Sequence, residues 1–295
     1  MFRLLDLLTT ISFAAFALAL LPISQDVGTP EISNFTASGQ DPMPIPPAAK
    51  FDIRETDPGQ PAEFELGAVY MCAMYVLYYI SVDHRQPEGA FAVMGYTSLP
   101  TQAMPQWLSD SRPPTYGYDM IWAAEALAKN LDRFGPVVRQ LVFEFNTPGQ
   151  QLIGHIMAAT PYSRSKAFPM PVFGNIVVQN SQNPKNLDVR NTYLAATKVF
   201  KEVYAKGHDQ PVEGYHRFQD GEVAFQLTRV PGSPRTLSWK DIGKAVIAVL
   251  QFFRGDAGFR EAMVVIKRSG QEMGRMDVFF RERRPQSSAL QVDRR

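Results

Sequence analysis

An amphipathic helix is predicted at residues 236–253, TLSWKDIGKAVIAVLQFF. Its apolar residues recur at helical spacing and form one stripe, made of Ile242, Ala245, Val246, Val249, Leu250 and Phe253. Ser238 is followed three residues later by Asp241, which is an acidic variant of the capping box that starts helices. A strand pattern follows, so one face of this helix is expected to cover a sheet.

A similar helix is predicted earlier in the chain, in the segment YGYDMIWAAEALAKNL at residues 116–131 and the residues up to Phe134. Its stripe consists of Met120, Ile121, Ala124, Leu127, Leu131 and Phe134. In each half two strands follow the helix, joined by a turn that holds Gly149 or Gly270, where a hairpin needs positive φ. Residues and turns that match between the two halves, and that occur in the same order in both, predict an internal duplication.

Each half also contains an earlier helix, predicted at about 63–80 and at 189–206. Asp188 is the expected N-cap of the second of these helices, and Gly207 is expected to close it. The helix of the first half is apolar on nearly all sides, so we expect it to be the more buried one.

The predicted fold class is therefore α/β (α+β), a two-layer sandwich built from a duplicated β-α-β-α-β-β unit. Repeat unit one is placed at residues 51–160 and repeat unit two at residues 173–283. The sequence leaves open whether the two units share one sheet.

Two matching segments contain the best candidates for chemistry, HRQPEGAFAV at residues 84–93 and HRFQDGEVAF at residues 216–225. The match pairs His84 with His216 and Arg85 with Arg217, with an acidic residue four positions after each histidine. If both turns met at a pseudo-twofold axis, these groups would bind an anion or act as acid and base. The alternative is two solvated turns inherited from one ancestral unit.

Three aromatic residues, Trp107, Tyr116 and Tyr118, lie in or after SLPTQAMPQWL, residues 98–108, which is extra in the first half. A loop inserted in one repeat is a common place for a new contact surface. Exposed aromatic rings there would stack on sugar rings or grip a protein partner. The alternative is that they cover the open edge of the sandwich.

The N-terminus predicts export, because Arg3 precedes an apolar run that ends at the small-residue site Ala17-Leu18-Ala19. We therefore assign residues 1–19 to a signal peptide and expect a secreted, extracellular protein; an uncleaved signal anchor that tethers the chain to a membrane is the alternative. Residues 20–50 form a Pro-rich lead that we expect to be disordered, with a glycosylation sequon at Asn34. Residues 284–295 are expected to form a disordered tail.

The composition excludes several classes of protein. Thirty Lys and Arg residues balance 29 Asp and Glu residues, which argues against a nucleic-acid binder. The single cysteine, Cys72, cannot form an intramolecular disulfide and lies in an apolar segment, so we expect it to be buried. The sequence contains none of the common nucleophile, phosphate-binding or zinc motifs, so no catalytic residue, cofactor or metal is assigned.

The two helix segments and the strand MGRMDVFF at residues 273–280 resemble a broad set of uncharacterised secreted proteins of filamentous fungi. The resemblance spans about residues 51–280 and implies a compartment rather than an activity. Taken with the missing motifs, it favours a non-enzymatic binding or interaction protein, whose partner is a cell-wall glycan or another protein. A secreted hydrolase that uses scattered carboxylates or the paired His-Arg turns is the alternative, because two carboxylates at a set distance suffice for glycoside hydrolysis.

Overall fold

The computed structural model describes residues 43–56, 63–83, 91–94, 105–111, 117–148, 150–158, 173–230 and 236–281. The predicted signal peptide, the sequon at Asn34 and the predicted tail lie outside the described residues. So do His84, Arg85 and Tyr116.

Each repeat consists of one five-stranded sheet and two helices. In chain order, repeat one contains β1 (Lys50–Glu55), β2 (Phe64–Glu65), α1 (Leu66–Ser81), β3 (Phe91–Met94), β4 (Pro105–Ser111), α2 (Gly117–Asn130), β5 (Val137–Val138), β6 (Leu141–Thr147) and β7 (Gln150–Ala158). Repeat two contains β8 (Ile176–Asn180), α3 (Val189–Lys206), β9 (Tyr215–Asp220), β10 (Val223–Arg229), α4 (Trp239–Phe252), β11 (Ala262–Arg268) and β12 (Gln271–Phe280). In repeat one, β2 and β5 form a separate two-stranded ribbon.

The strand order confirms the duplication. The first sheet has the order β1-β6-β7-β4-β3 and the second has β8-β11-β12-β10-β9, with antiparallel neighbours throughout. Counted within each repeat, both sheets run first, fourth, fifth, third, second. The α+β class is as predicted, and the main sheet of each repeat has one strand more than the β-α-β-α-β-β pattern, because two strands separate the helices.

The local signals at the helix ends of repeat two are also confirmed. Helix α3 begins after Asp188, whose side chain accepts a hydrogen bond from the backbone N–H of Asn191 at 2.7 Å. It ends at Gly207, which has a φ of 87°. Helix α4 begins with the predicted capping box between Ser238 and Asp241. Side-chain acceptors at these two starts satisfy backbone donors that the first turn of a helix leaves without partners.

The sheet pairing corrects the alignment of the two repeats between their helices. Strand β3 is an edge strand next to β4, as β9 is next to β10, so β3 corresponds to β9 and β4 to β10. The sequence match at residues 84–93 and 216–225 instead placed β3 opposite β10. The expected insertion is also misplaced, since PQWL at 105–108 belongs to β4. The extra residues of repeat one lie at 95–104, where repeat two has only residues 221 and 222.

The helices of the two repeats pack against each other. Helix α1 contacts α2, α3 and α4 as well as the first sheet, and α3 packs against the second sheet. The result is four layers, sheet–helix–helix–sheet, with one hydrophobic core that includes residues of both repeats. The two units therefore have separate sheets but a shared core.

The last part of the Pro-rich lead is ordered, which corrects the expected boundary at residue 50. Met43, Ile45 and Ala49 pack against the core, and β1 already begins at Lys50. Apolar side chains between the prolines supply the contact surface that fixes this segment.

Three ion pairs of the described residues join the repeats, and one of them, Arg190 with Asp132 at 3.3 Å, lies at the surface. Glu65 of repeat one receives two hydrogen bonds from the guanidinium of Arg254 in repeat two. Glu125 on α2 accepts a 2.8 Å hydrogen bond from Lys201 on α3, whose side chain has 0% exposure. Buried charges of this kind are tolerated only when they are paired.

Candidate functional site

A shallow aromatic pocket lies where the start of α2 meets the end of α3. It has a volume of about 410 Å³ and is lined by Met43, Tyr118, Trp122, Tyr204 and Ala205. Tyr118 and Trp122 come from repeat one, Tyr204 and Ala205 come from repeat two, and Met43 comes from the lead. The pocket therefore exists only in the assembled pair of repeats. We call it the junction pocket.

Two rings of repeat one form one wall of the junction pocket. Tyr118 and Trp122 are four residues apart on α2, so they lie on the same face of the helix. Their ring centroids are 5.0 Å apart and their planes are inclined by 60°. Tyr118 is 37% exposed, and the indole N–H of Trp122 donates to the carbonyl oxygen of Met43 at 3.2 Å. The lead thus fixes the orientation of the indole.

Tyr204 forms the opposite wall. A Cβ atom at residue 117 would lie 2.7 Å from its hydroxyl oxygen, so Gly117 leaves the space that this hydroxyl occupies. Burial raises the pKa of Tyr204, and the nearby Tyr118 and the buried Asp119 raise it further. The Tyr204 hydroxyl therefore stays protonated and neutral at physiological pH.

The junction pocket combines apolar ring faces with phenol hydroxyls. Such an arrangement binds a ligand that presents apolar C–H faces and hydroxyl groups together. Its volume falls in the range of small-molecule sites, which is roughly 300–1,000 Å³.

The aromatic residues predicted from the sequence have different positions. Tyr118 lies in the junction pocket, as expected for an exposed contact residue. Trp107 does not: it faces the core from β4 with 0% exposure, and its ring meets Phe143 edge-on at 4.8 Å. The assignment of Trp107 as a ligand contact is wrong, because its segment is a strand of the sheet and not an inserted loop. Tyr116 lies outside the described residues.

The predicted His-Arg site is described only in its second half, because His84 and Arg85 lie outside the described residues. His216 lies within β9, and the strand pairing places Phe91, not His84, at the equivalent position of repeat one. Neighbouring side chains of a strand point to opposite faces. The ring of His216 accordingly packs against Trp239 at the start of α4 with 4.9 Å between centroids, whereas Arg217 lies over Phe279 on the outer face. His216 and Arg217 cannot act on one ligand group.

Two residues of the junction pocket, Trp122 and Tyr204, were missed. The spacing of Tyr118 and Trp122 on one helix face was a usable signal, because residues four apart on a helix are neighbours. Tyr204 lies near the end of the helix predicted at 189–206, and no role was assigned to it from the sequence. Nothing in the sequence indicates that the end of α3 meets the start of α2, since this contact joins different repeats.

Cys72 is buried, as predicted, and its thiol donates to the carbonyl oxygen of Pro105 at 3.4 Å. Over the described ranges, no cluster of three or more His, Cys, Asp or Glu side chains is arranged to hold a metal ion. No helix in the same part of the chain is both long and apolar enough to cross a membrane.

No protein-family model matches the chain, and neither does any curated protein. Solved structures that are similar to it include two plant ectodomains. The tandem DUF26 ectodomain of the Arabidopsis thaliana cysteine-rich receptor-like protein PDLP8 is 11% identical, with a TM-score of 0.25 and alignment over 79% of this chain and 97% of the other. The tandem DUF26 ectodomain of PDLP5 from the same plant is 10% identical, with a TM-score of 0.22, over 79% of this chain and 98% of the other. Both TM-scores are low, so the function is inferred from the side chains of this chain.

Proposed function

We propose that this chain is exported from the cell and acts there as a non-enzymatic binding protein whose junction pocket holds a sugar ring of a glycan. The observation that carries this proposal is the convergence of Tyr118 and Trp122 of one repeat with Tyr204 of the other. Aromatic faces exposed in a shallow pocket cover the C–H face of a pyranose without requiring charge.

The polar groups of the pocket suit the same ligand. A tyrosine hydroxyl is neutral at physiological pH and can both donate and accept, and burial, which raises the pKa of Tyr204, keeps it so into more alkaline solution. Sugar hydroxyls have the same dual capacity, and hydrogen bonds at the edge of the rings would orient the sugar. Binding at the junction would also depend on the correct packing of both repeats.

Export is supported by the N-terminal sequence, in which Arg3 precedes an apolar run and the small residues Ala17 and Ala19. N-terminal sequencing of the protein recovered from the culture medium should give a start between Leu20 and Gln25. Full-length chain confined to the cytosol would contradict this part of the proposal.

The binding function is tested with a glycan array probed by the protein that the cells secrete. We expect signal on a limited set of glycans, lost in Trp122→Ala and reduced at least about tenfold in Tyr118→Ala, because each removes one stacking face. Tyr215→Ala is the matched control, because Tyr215 is an aromatic residue of β9 with 46% exposure and does not line the pocket. Thermal melts confirm that each variant is folded.

Three results would overturn the proposal. The first is an array without any hit, and the second is a set of hits that the pocket variants bind as well as the native chain does. The third is cleavage of the bound glycan during incubation, which would identify the alternative, a secreted hydrolase.

A further inference from the structure

The outer face of the second sheet, which points away from the helices, contains a second group of unusual side chains. Alternation along the strands places Arg217 of β9, Gln226 of β10 and Asp277 of β12 on this face, in one cross-strand row. Phe279, two residues after Asp277, lies on the same face.

Arg217 has an incomplete set of contacts. Its guanidinium carbon lies 5.2 Å from the centre of the Phe279 ring, which holds the planar group against the sheet. Among the described residues, its Nε and Nη2 atoms are buried and have no hydrogen-bond partner. Other arginines of repeat two are paired, Arg268 with Asp241 and Arg275 with Glu272. A buried guanidinium nitrogen without an acceptor is costly, so a site that keeps one calls for an acceptor from outside.

A second guanidinium belongs to Arg281, close to Gln219 of β9. Arg281 is two residues beyond Phe279 and donates to the side-chain oxygen of Gln219 at 2.8 Å. Gln219 is fixed in turn, because its amide nitrogen donates to the carbonyl oxygen of Gly221 at 2.8 Å. Gln219 and Arg217 are both on the outer face of β9, so the two guanidinium groups flank one patch of the sheet.

The carboxylates on this face leave the two arginines uncompensated. Glu272 is within 3.7 Å of Arg275. Burial raises the pKa of Asp277, although Arg275 lowers it in part. Asp277 accepts no hydrogen bond from the buried Nε and Nη2 atoms of Arg217, which have no partner among the described residues.

We propose that the outer face of β9, β10 and β12 is a second binding site, where Arg217 and Arg281 hold an oxyanion of a ligand. The oxyanion is a carboxylate, sulfate or phosphate group, because the fork of a guanidinium matches the oxygen pairs of these groups. This site is independent of the junction pocket, because the two have no residue in common.

The test is titration calorimetry of the whole secreted protein with oligogalacturonate, inorganic sulfate and inorganic phosphate, and with a neutral oligoglucose as reference. At least one of the three oxyanion probes should bind, and the one preferred identifies the source of the oxyanion. Arg217→Gln should raise its Kd at least about tenfold, because a hydrogen bond between charged groups is lost. Arg281→Gln should raise it in the same direction.

Arg275→Gln is the matched control, because it removes the same charge from the same face at a residue that has its own carboxylate. We expect its Kd to stay within about twofold of the native value. Asp277→Asn should tighten binding, because it removes a negative charge near the anion. Trp122→Ala should bind the oxyanion normally, which separates this site from the junction pocket.

Two results would overturn the proposal: no binding by any of the three oxyanion probes, or equal losses in Arg217→Gln and Arg275→Gln. The second result would indicate only a general attraction to positive charge. Melting curves for each arginine variant separate a loss of binding from a loss of folding.

Discussion

The two repeats have the same strand order but fill their cores differently. Phe143 of β6 pairs with Gly154 of β7, and the corresponding pair in repeat two is Val264 with Met276. A Cβ atom at Gly154 would overlap the Phe143 ring, so the large ring of one strand occupies the space left by the glycine of the next. Repeat two fills the same layer with two side chains of intermediate size. A shared topology therefore does not require shared packing, provided that the total volume is conserved.

The repeats also differ at the helices through which they meet. Glu125 of α2 corresponds to Val246 of α4 in the alignment of the second helices, and both are buried. Glu125 is the partner of Lys201 on α3, so repeat one has a carboxylate where repeat two has an apolar side chain. The difference between Glu125 and Val246 is therefore explained by the contact between the repeats, since the fold of each repeat alone does not require a carboxylate at this position.

The largest effect is expected at this contact. Glu125→Val copies repeat two and removes the carboxylate that compensates the fully buried Lys201. It should lower the free energy of unfolding by about 3–5 kcal/mol, the usual cost of breaking a buried ion pair. Urea denaturation followed by circular dichroism measures the change, and we expect one transition because the repeats share a core.

Two further variants test the cause of that loss. Lys129 binds the same carboxylate at 2.6 Å but is exposed, so Lys129→Gln should cost less than about 1 kcal/mol. Adding Lys201→Met to Glu125→Val should recover most of the loss, because an apolar pair replaces the ionic one. Equal losses in Lys129→Gln and Glu125→Val would contradict the importance of the buried pair.

The second effect on stability concerns the Phe143–Gly154 pair, which packs differently from Val264 and Met276 in repeat two. Gly154→Met should destabilise the protein by about 1–3 kcal/mol, because the new side chain meets the Phe143 ring. Combining it with Phe143→Val reproduces the pair of repeat two and should restore at least half of the loss. Urea denaturation of both single variants and the double variant measures the coupling. Additive losses would show that the surroundings of the two pairs also differ.

The helices were easier to predict from the sequence than the residues of the junction pocket. Helix periodicity and capping residues located α3 and α4 almost to the residue, because these signals act within a few turns of chain. Trp107 was misassigned because its segment is a buried strand of the sheet, and the strand pairing differs from the alignment that matched His84 with His216. The junction pocket depends on contact between the repeats, so only one of its aromatic residues, Tyr118, was predicted.

A smaller effect should appear in acid at a second ion pair between the repeats, Glu65 with Arg254. The hydrogen bond from Arg254 lowers the pKa of Glu65 below 4.5, against the opposing effect of burial, and the charge of Arg254 lowers it further. Glu65 therefore binds protons more weakly in the folded state. The stability that it contributes is present above about pH 4.5 and is lost as the pH falls through the folded pKa.

Thermal melts of the native chain and Glu65→Gln over a range of acid pH test this dependence. The native melting temperature should fall more steeply than that of the variant below about pH 4.5, because only the native chain has this carboxylate to protonate. Glu272→Gln is the control, since Glu272 pairs with Arg275 inside repeat two and both are largely accessible. Its profile should follow that of the native chain.

The smallest effect on stability is expected at the N-terminus of the first helix of each repeat. Only one of these two helices has a side-chain cap. Helix α3 has Asp188 as a side-chain cap, whereas α1 follows Glu65 without a side-chain cap. Helix α1 is buried along nearly its whole length, so packing holds its start in place, but α3 is amphipathic and more accessible. Asp188→Ala should therefore cost about 1 kcal/mol in urea denaturation, and Asp188→Ser, which keeps an acceptor, should cost much less. If alanine and serine cost the same, the start of α3 is also fixed by packing, and the two first helices are more alike than their caps indicate.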